Sequence, residues 1–232
     1  YVKGTFKVPE RSDEDFNLSQ AQFSISDEFE RAYLKHVLEP IRTLSGEGWP
    51  SLVLGRDSGA NLDAIGYGRI HYLNRVGLYG EEKDNGLSQE EMTLLYCYYM
   101  MRANYGSCRA VYQSMEEWMG RMIEDHRGRL QLIDIGCGPA TAGIAFAELF
   151  LEKAPEMLYA AIDKSMEMKK IGEKMADSVF GGKLRMKSPN SFEELDENYW
   201  DACSELSTLV VFSFSSFFSN IGAQSAEHLA QL

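Results

Sequence analysis

Two carboxylates and a glycine turn carry the chemistry open to this chain. Asp134 stands two positions before Gly136, inside the otherwise apolar run Leu130-Gln131-Leu132-Ile133-Asp134-Ile135. An ionised side chain in such a run is costly unless it is paired or hydrogen-bonded, so Asp134 needs a reason. The turn Gly136-Cys137-Gly138-Pro139 follows. Residues without a Cβ let a ligand lie against the backbone and reach dihedrals closed to other types. Asp163 closes a second apolar run, 25 residues after Gly138. A carboxylate at that strand end can accept both hydroxyls of a ribose, which suits any adenosine-containing ligand. A dinucleotide turn of the form G-x-G-x-x-G would place glycine at 141, where this chain has Thr141. A pyrophosphate cradle, and with it a nucleotide-dependent oxidoreductase, is therefore the lesser alternative.

The elements around these residues alternate. The run at 130–135 reads as a strand and 142–150 as a helix; 158–162 and 165–178 repeat the plan. A weaker strand is expected at 183–187, and a fourth, rich in β-branched and aromatic residues, at 209–214. Strands alternating with helices predict right-handed crossovers, a parallel sheet and helices on both faces, which is an α/β fold. Upstream, residues 1–26 read as a polar arm, and 27–44 as an amphipathic helix started by Ser26-Asp27-Glu28. The stretch 51–86 is rich in glycine, with one strand-like run at 69–73. Ser88-Gln89-Glu90-Glu91 has the form of a capping box, and the helix behind it continues to about Asp125, weakened at Gly106 and Ser107. The aromatic and Met stripe of this helix reads as core packing. The division expected is a mainly helical region at 1–128 and a cofactor-binding domain at 129–232.

Asp134-Ile135-Gly136-Cys137-Gly138-Pro139-Ala140-Thr141 resembles the first motif of class I S-adenosylmethionine-dependent methyltransferases, D/E-x-G-x-G-x-G, with Ala140 in place of the third glycine. The resemblance covers about residues 130–216 and implies a Rossmann-like domain with S-adenosylmethionine as cofactor. Gly136, Cys137 and Gly138 would then lie along the methionine part of the donor, and Asp134 would orient its amino end. Asp163, followed by Lys164, is similar to the second motif, whose acidic residue binds the ribose. Asn190 and Ser191, after the third strand, stand where the family contacts adenine. Ser213 and Phe214, at the end of the fourth, stand on the acceptor side; a buried strand end with satisfied hydroxyls is the competing reading for them. They do not form the N/D-P-P-Y/F signature of amino methyltransferases that act on bases. The helix Tyr98 to Val111 resembles the lead-in helix of ribosomal-small-subunit-associated methyltransferase-like proteins, whose cysteine cluster is absent here. The reaction implied is methyl transfer to an unidentified acceptor, with no assigned catalytic residue. The alternative is a non-catalytic methyltransferase-like binding or assembly module.

Composition limits the partners. With 23 basic against 35 acidic residues and a formal net charge of -12, the surface repels phosphate backbones, so nucleic acid is not favoured. Cys97, Cys108, Cys137 and Cys203 occur singly, which argues against a zinc cluster or a disulfide framework and fits a reducing, cytoplasmic setting. No run approaches the roughly 20 apolar residues of a membrane span. His36, His71, His126 and His228 lack metal-ligand spacing, and no metal is expected. A complete class I sheet has seven strands and four are found, so the sheet is expected either to be a fragment or to be completed by a partner chain.

Overall fold

The computed structural model of the chain describes residues 24–44 and 89–214. Most of the expected arm, the glycine-rich stretch with its strand-like run at 69–73, Ser88 of the capping box and the segment 215–232 lie outside the described residues. Strands β1 (Leu130–Ile135), β2 (Leu158–Ile162), β3 (Arg185–Lys187) and β4 (Leu209–Ser213) form one parallel sheet in the order β3-β2-β1-β4. The outer two expectations are trimmed. β3 begins at Arg185, because an edge strand with Arg185 and Lys187 in solvent is held by pairing with β2 alone.

Helix α1 is built from Asp27–Tyr33, a π turn at Leu34–Leu38 and Glu39–Leu44. The π turn comes just before Pro40, whose missing N–H and bulky ring disfavour a regular α ladder at the preceding carbonyls. Helix α2 runs through Gln89–Tyr96, a second π turn at Cys97–Met101, and Arg102–Ser114. The Tyr33 hydroxyl donates to the Tyr98 carbonyl inside that π turn at 3.0 Å, and the two π turns pack against each other. Gly106 does not interrupt α2. The break falls at Met115 (φ -115°, ψ 12°), after Ser114 Oγ bonds back to the Val111 carbonyl at 2.6 Å, a contact that bends a helix end. Helix α3 then spans Glu116–Asp125.

Helices α4 (Thr141–Phe150) and α5 (Met166–Phe180) cross between β1, β2 and β3, and α6 (Glu197–Glu205) crosses back to β4. The first two crossovers advance across the sheet in one direction and the third returns beyond β1. Right-handed connections therefore put α4 and α5 on one face and α6 on the other. The cores follow the two-residue period of the pleat. Leu130, Leu132, Tyr159 and Ala161 pack with α4 and α5, whereas Ile133, Ala160 and Ile162 meet Leu195, Tyr199 and Trp200. The first core also takes in Phe29, Tyr33, Met101, Tyr105 and Ile123, so the upstream helices share it with the sheet.

The chain is thus α/β, with a four-stranded parallel sheet, helices on both of its faces, and described upstream residues that are helical. Among the described residues no helix is long and apolar enough to cross a membrane.

Candidate functional site at the carboxyl edge of the sheet

In an open parallel sheet ligands lie outside the carboxyl ends of the strands, where strand order reverses. Here that point is between β1 and β4. Asp134 and Ser213 are register partners across it. The glycine turn leaves β1 with Gly136 at φ 71° and Gly138 at φ 53°, both in the left-handed region that glycine tolerates. A Cβ added to Gly138 would meet nothing within 4 Å among the described residues, which leave open space before the turn. Ala140 is also left-handed, at φ 58°, and caps α4. Alanine holds that conformation at a cost of about 1 kcal/mol, and its buried methyl packs against α5 where Gly172 leaves room.

The turn is stitched to the end of β2. Gly136 N–H and Cys137 N–H both donate to the Ile162 carbonyl, at 2.9 and 3.1 Å. Asp163 completes the seam: Oδ2 accepts from Gly138 N–H at 2.8 Å and Oδ1 from Ser165 N–H at 2.8 Å. The two places the sequence singles out are therefore in direct contact. Each carboxylate oxygen keeps a second lone pair beyond its backbone bond. Ser165 in turn caps α5 through Met168 N–H.

Asp134 is fully buried on the α4 face. The Tyr159 hydroxyl donates to its Oδ2 at 3.0 Å, and the Ser213 hydroxyl and Gly143 N–H approach the same carboxyl. Burial pushes its carboxyl up to about 7, against the lowering effect of the Ser213 hydroxyl and the Tyr159 phenol; the nearby Asp163 charge raises it further. Tyr159 reaches Asp134 only because α4 has glycine at 143, where any Cβ would run into the phenol ring. From α2, Tyr112 approaches Ser213, and burial raises its phenol well above the usual range. Burial also raises the Cys137 thiol, with the Asp134 and Asp163 charges adding to it, so Cys137 is held as a neutral thiol and not as a nucleophile. Its Sγ donates to the Gly138 carbonyl at 3.4 Å.

The remaining expected residues divide. Lys164 is exposed beside Asp163, and Phe214 sits past the end of β4. The Asn190 amide is bonded within the protein: its Oδ1 accepts from Lys169 Nζ at 2.6 Å and its Nδ2 donates to Glu194 at 3.1 Å. Ser191 precedes the 3-10 turn Phe192–Glu194. Sequence reasoning missed Tyr159, Gly143 and Lys169. Tyr159 alternates correctly for the Asp134 face and sits 25 residues from it, but the pairing appears only once β2 lies beside β1.

A cleft of about 650 Å3 lies elsewhere, among the far ends of α4 and α5, with Ser26, Arg109, Glu148 and Lys183 in its lining. Its polar wall is a latch between helices: Glu148 accepts from Ser26 Oγ at 2.6 Å and from the Tyr105 hydroxyl, with Arg109 at 3.8 Å. Among the described residues no group of three His, Cys, Asp or Glu side chains is placed to hold a metal. No family model, curated protein or solved structure matches the chain.

Proposed function

We propose that the carboxyl edge of the sheet binds S-adenosylmethionine and that the chain transfers its methyl group to an acceptor. The observation that carries this reading is the bond from Gly138 N–H to Asp163 Oδ2 at 2.8 Å, with open space in front of the turn among the described residues. A nucleoside laid there has its sugar on the free lone pairs of Asp163. Its amino-acid tail runs along Gly136 to Gly138 toward the end of β1, where the charge of the buried Asp134 carboxyl favours an ammonium group. When bound, the cofactor supplies an activated methyl on a sulfonium. The chain's contribution is to align it with a nucleophile and keep water away, so no dedicated base is needed for an acceptor that is already nucleophilic. The acceptor then enters by the end of β4, beside Ser213 and Phe214, and the setting is a cytoplasmic one.

A second reading, a non-catalytic binding or assembly module of the same fold, is favoured by one observation. Ser213 faces Tyr112 and Asp134 and is 9% exposed, which gives its hydroxyl a structural role. Calorimetric titration with S-adenosylhomocysteine and with NAD tests both. Binding of the former alone supports a methyltransferase-like pocket; binding of NAD alone overturns it. Turnover of labelled donor then separates the enzyme from the module.

A further inference from the structure

Lys169 lies on α5, six residues after Asp163, and is 1% exposed. A buried ammonium is expensive, and a Met or Leu at this place in a helix would pack at lower cost. What the cation adds is direction. Its three N–H groups go to three neutral oxygens of one loop: the Ser188 carbonyl at 3.1 Å, the Pro189 carbonyl at 3.3 Å and Asn190 Oδ1 at 2.6 Å. All its donors are thereby used. Glu194 grips the same loop from the other side, accepting from Asn190 N–H and Nδ2, each at 3.1 Å.

The loop so held follows β3, and its neighbours on the same edge are Asp163 after β2 and the glycine turn after β1. The Lys169 charge is also felt at Cys137 inside that turn. With the sugar on Asp163 and the amino-acid tail toward β1, the base of the ligand points toward β3. We propose that Lys169 is a positioning residue for the nucleoside base, fixing residues 188–190 as the wall against which the base lies. Recognition by the Asn190 amide is then replaced by the shape of a clamped backbone, since both ends of that amide are already bonded. This inference rests on the adenosyl-ligand reading above.

The test compares the full chain with Lys169→Met and with Met175→Ala, a core truncation on the same helix; Met175 is fully buried in the main core and makes none of the clamp's hydrogen bonds. Each folded protein is titrated with S-adenosylhomocysteine and with 5′-methylthioadenosine, which keeps the nucleoside and lacks the amino acid. Amide hydrogen exchange of residues 188–191 is followed in parallel. The expected result is faster exchange in the loop of Lys169→Met and a Kd raised at least tenfold for both ligands, with Met175→Ala unchanged in both respects. A folded Lys169→Met with wild-type Kd values overturns the inference and leaves the pocket in place. Equal weakening in Met175→Ala reduces Lys169 to general packing and also overturns it. A wild-type chain that binds neither ligand overturns the inference together with the reading it rests on.

Discussion

Replacing Asp134 by Asn should stabilise the fold in a pH-dependent way. The carboxyl is fully buried and its pKa is raised from 3.8 to about 7. Between those two values the folded chain binds a proton that the unfolded chain has released, so stability falls as pH rises through the window. At pH 8 the buried charge costs about 4 kcal/mol. At pH 5 most of that is absent, and about 1 to 2 kcal/mol remains. Asn is isosteric, keeps an acceptor for the Tyr159 hydroxyl and carries no charge, so any fixed cost of its extra N–H groups is the same at both pH values. The gain of Asp134→Asn over wild type should therefore be larger at pH 8 than at pH 5 by about 2 to 3 kcal/mol. Urea unfolding reads this as a difference of about 1 M in midpoint at a slope typical of a small domain. The same substitution should abolish the attraction for a ligand ammonium, a stability gain taken from function. A gain that is the same at both pH values would refute the reasoning, because the carboxylate would then not be an unneutralised buried charge.

Two further substitutions probe the seam. Asp163→Ala should weaken binding of S-adenosylhomocysteine by about 1 to 3 kcal/mol, read by calorimetry, through loss of the acceptor for the sugar; it should also loosen the turn, because Gly138 N–H and Ser165 N–H lose their partner. Gly143→Ala should lower thermal stability by about 1 to 3 kcal/mol of overpacking, since the new methyl would displace the Tyr159 ring and break its bond to Asp134; a melting temperature equal to wild type would count against that contact.

The sheet was legible because its central strands are marked at both ends. The 130–135 and 158–162 runs are apolar, short and closed by a glycine turn or an acidic residue, and both form with the expected bounds. Helix α6 escaped notice because its contacts with the core come from the neighbouring pair Tyr199 and Trp200, within an acidic stretch. Its signal was Asp196, whose side chain caps Tyr199 N–H at 2.9 Å. The contact between Gly138 and Asp163 was foreseeable from strand order. The Tyr159 and Gly143 pair was not, because it joins a strand to a helix on a neighbouring crossover. Lys169 sits beside the exposed Lys170, with nothing in the sequence to mark it as buried; only the folded path of the β3 loop brings three oxygens to its ammonium.

The most direct measurement is an experimental structure of the full chain with S-adenosylhomocysteine bound. The account predicts the ribose hydroxyls on Asp163, the homocysteine tail along Gly136 to Gly138, and the adenine against residues 188–190. Ligand seated instead in the cleft of Ser26, Arg109 and Glu148, or the glycine turn left bare at saturating ligand, would contradict it.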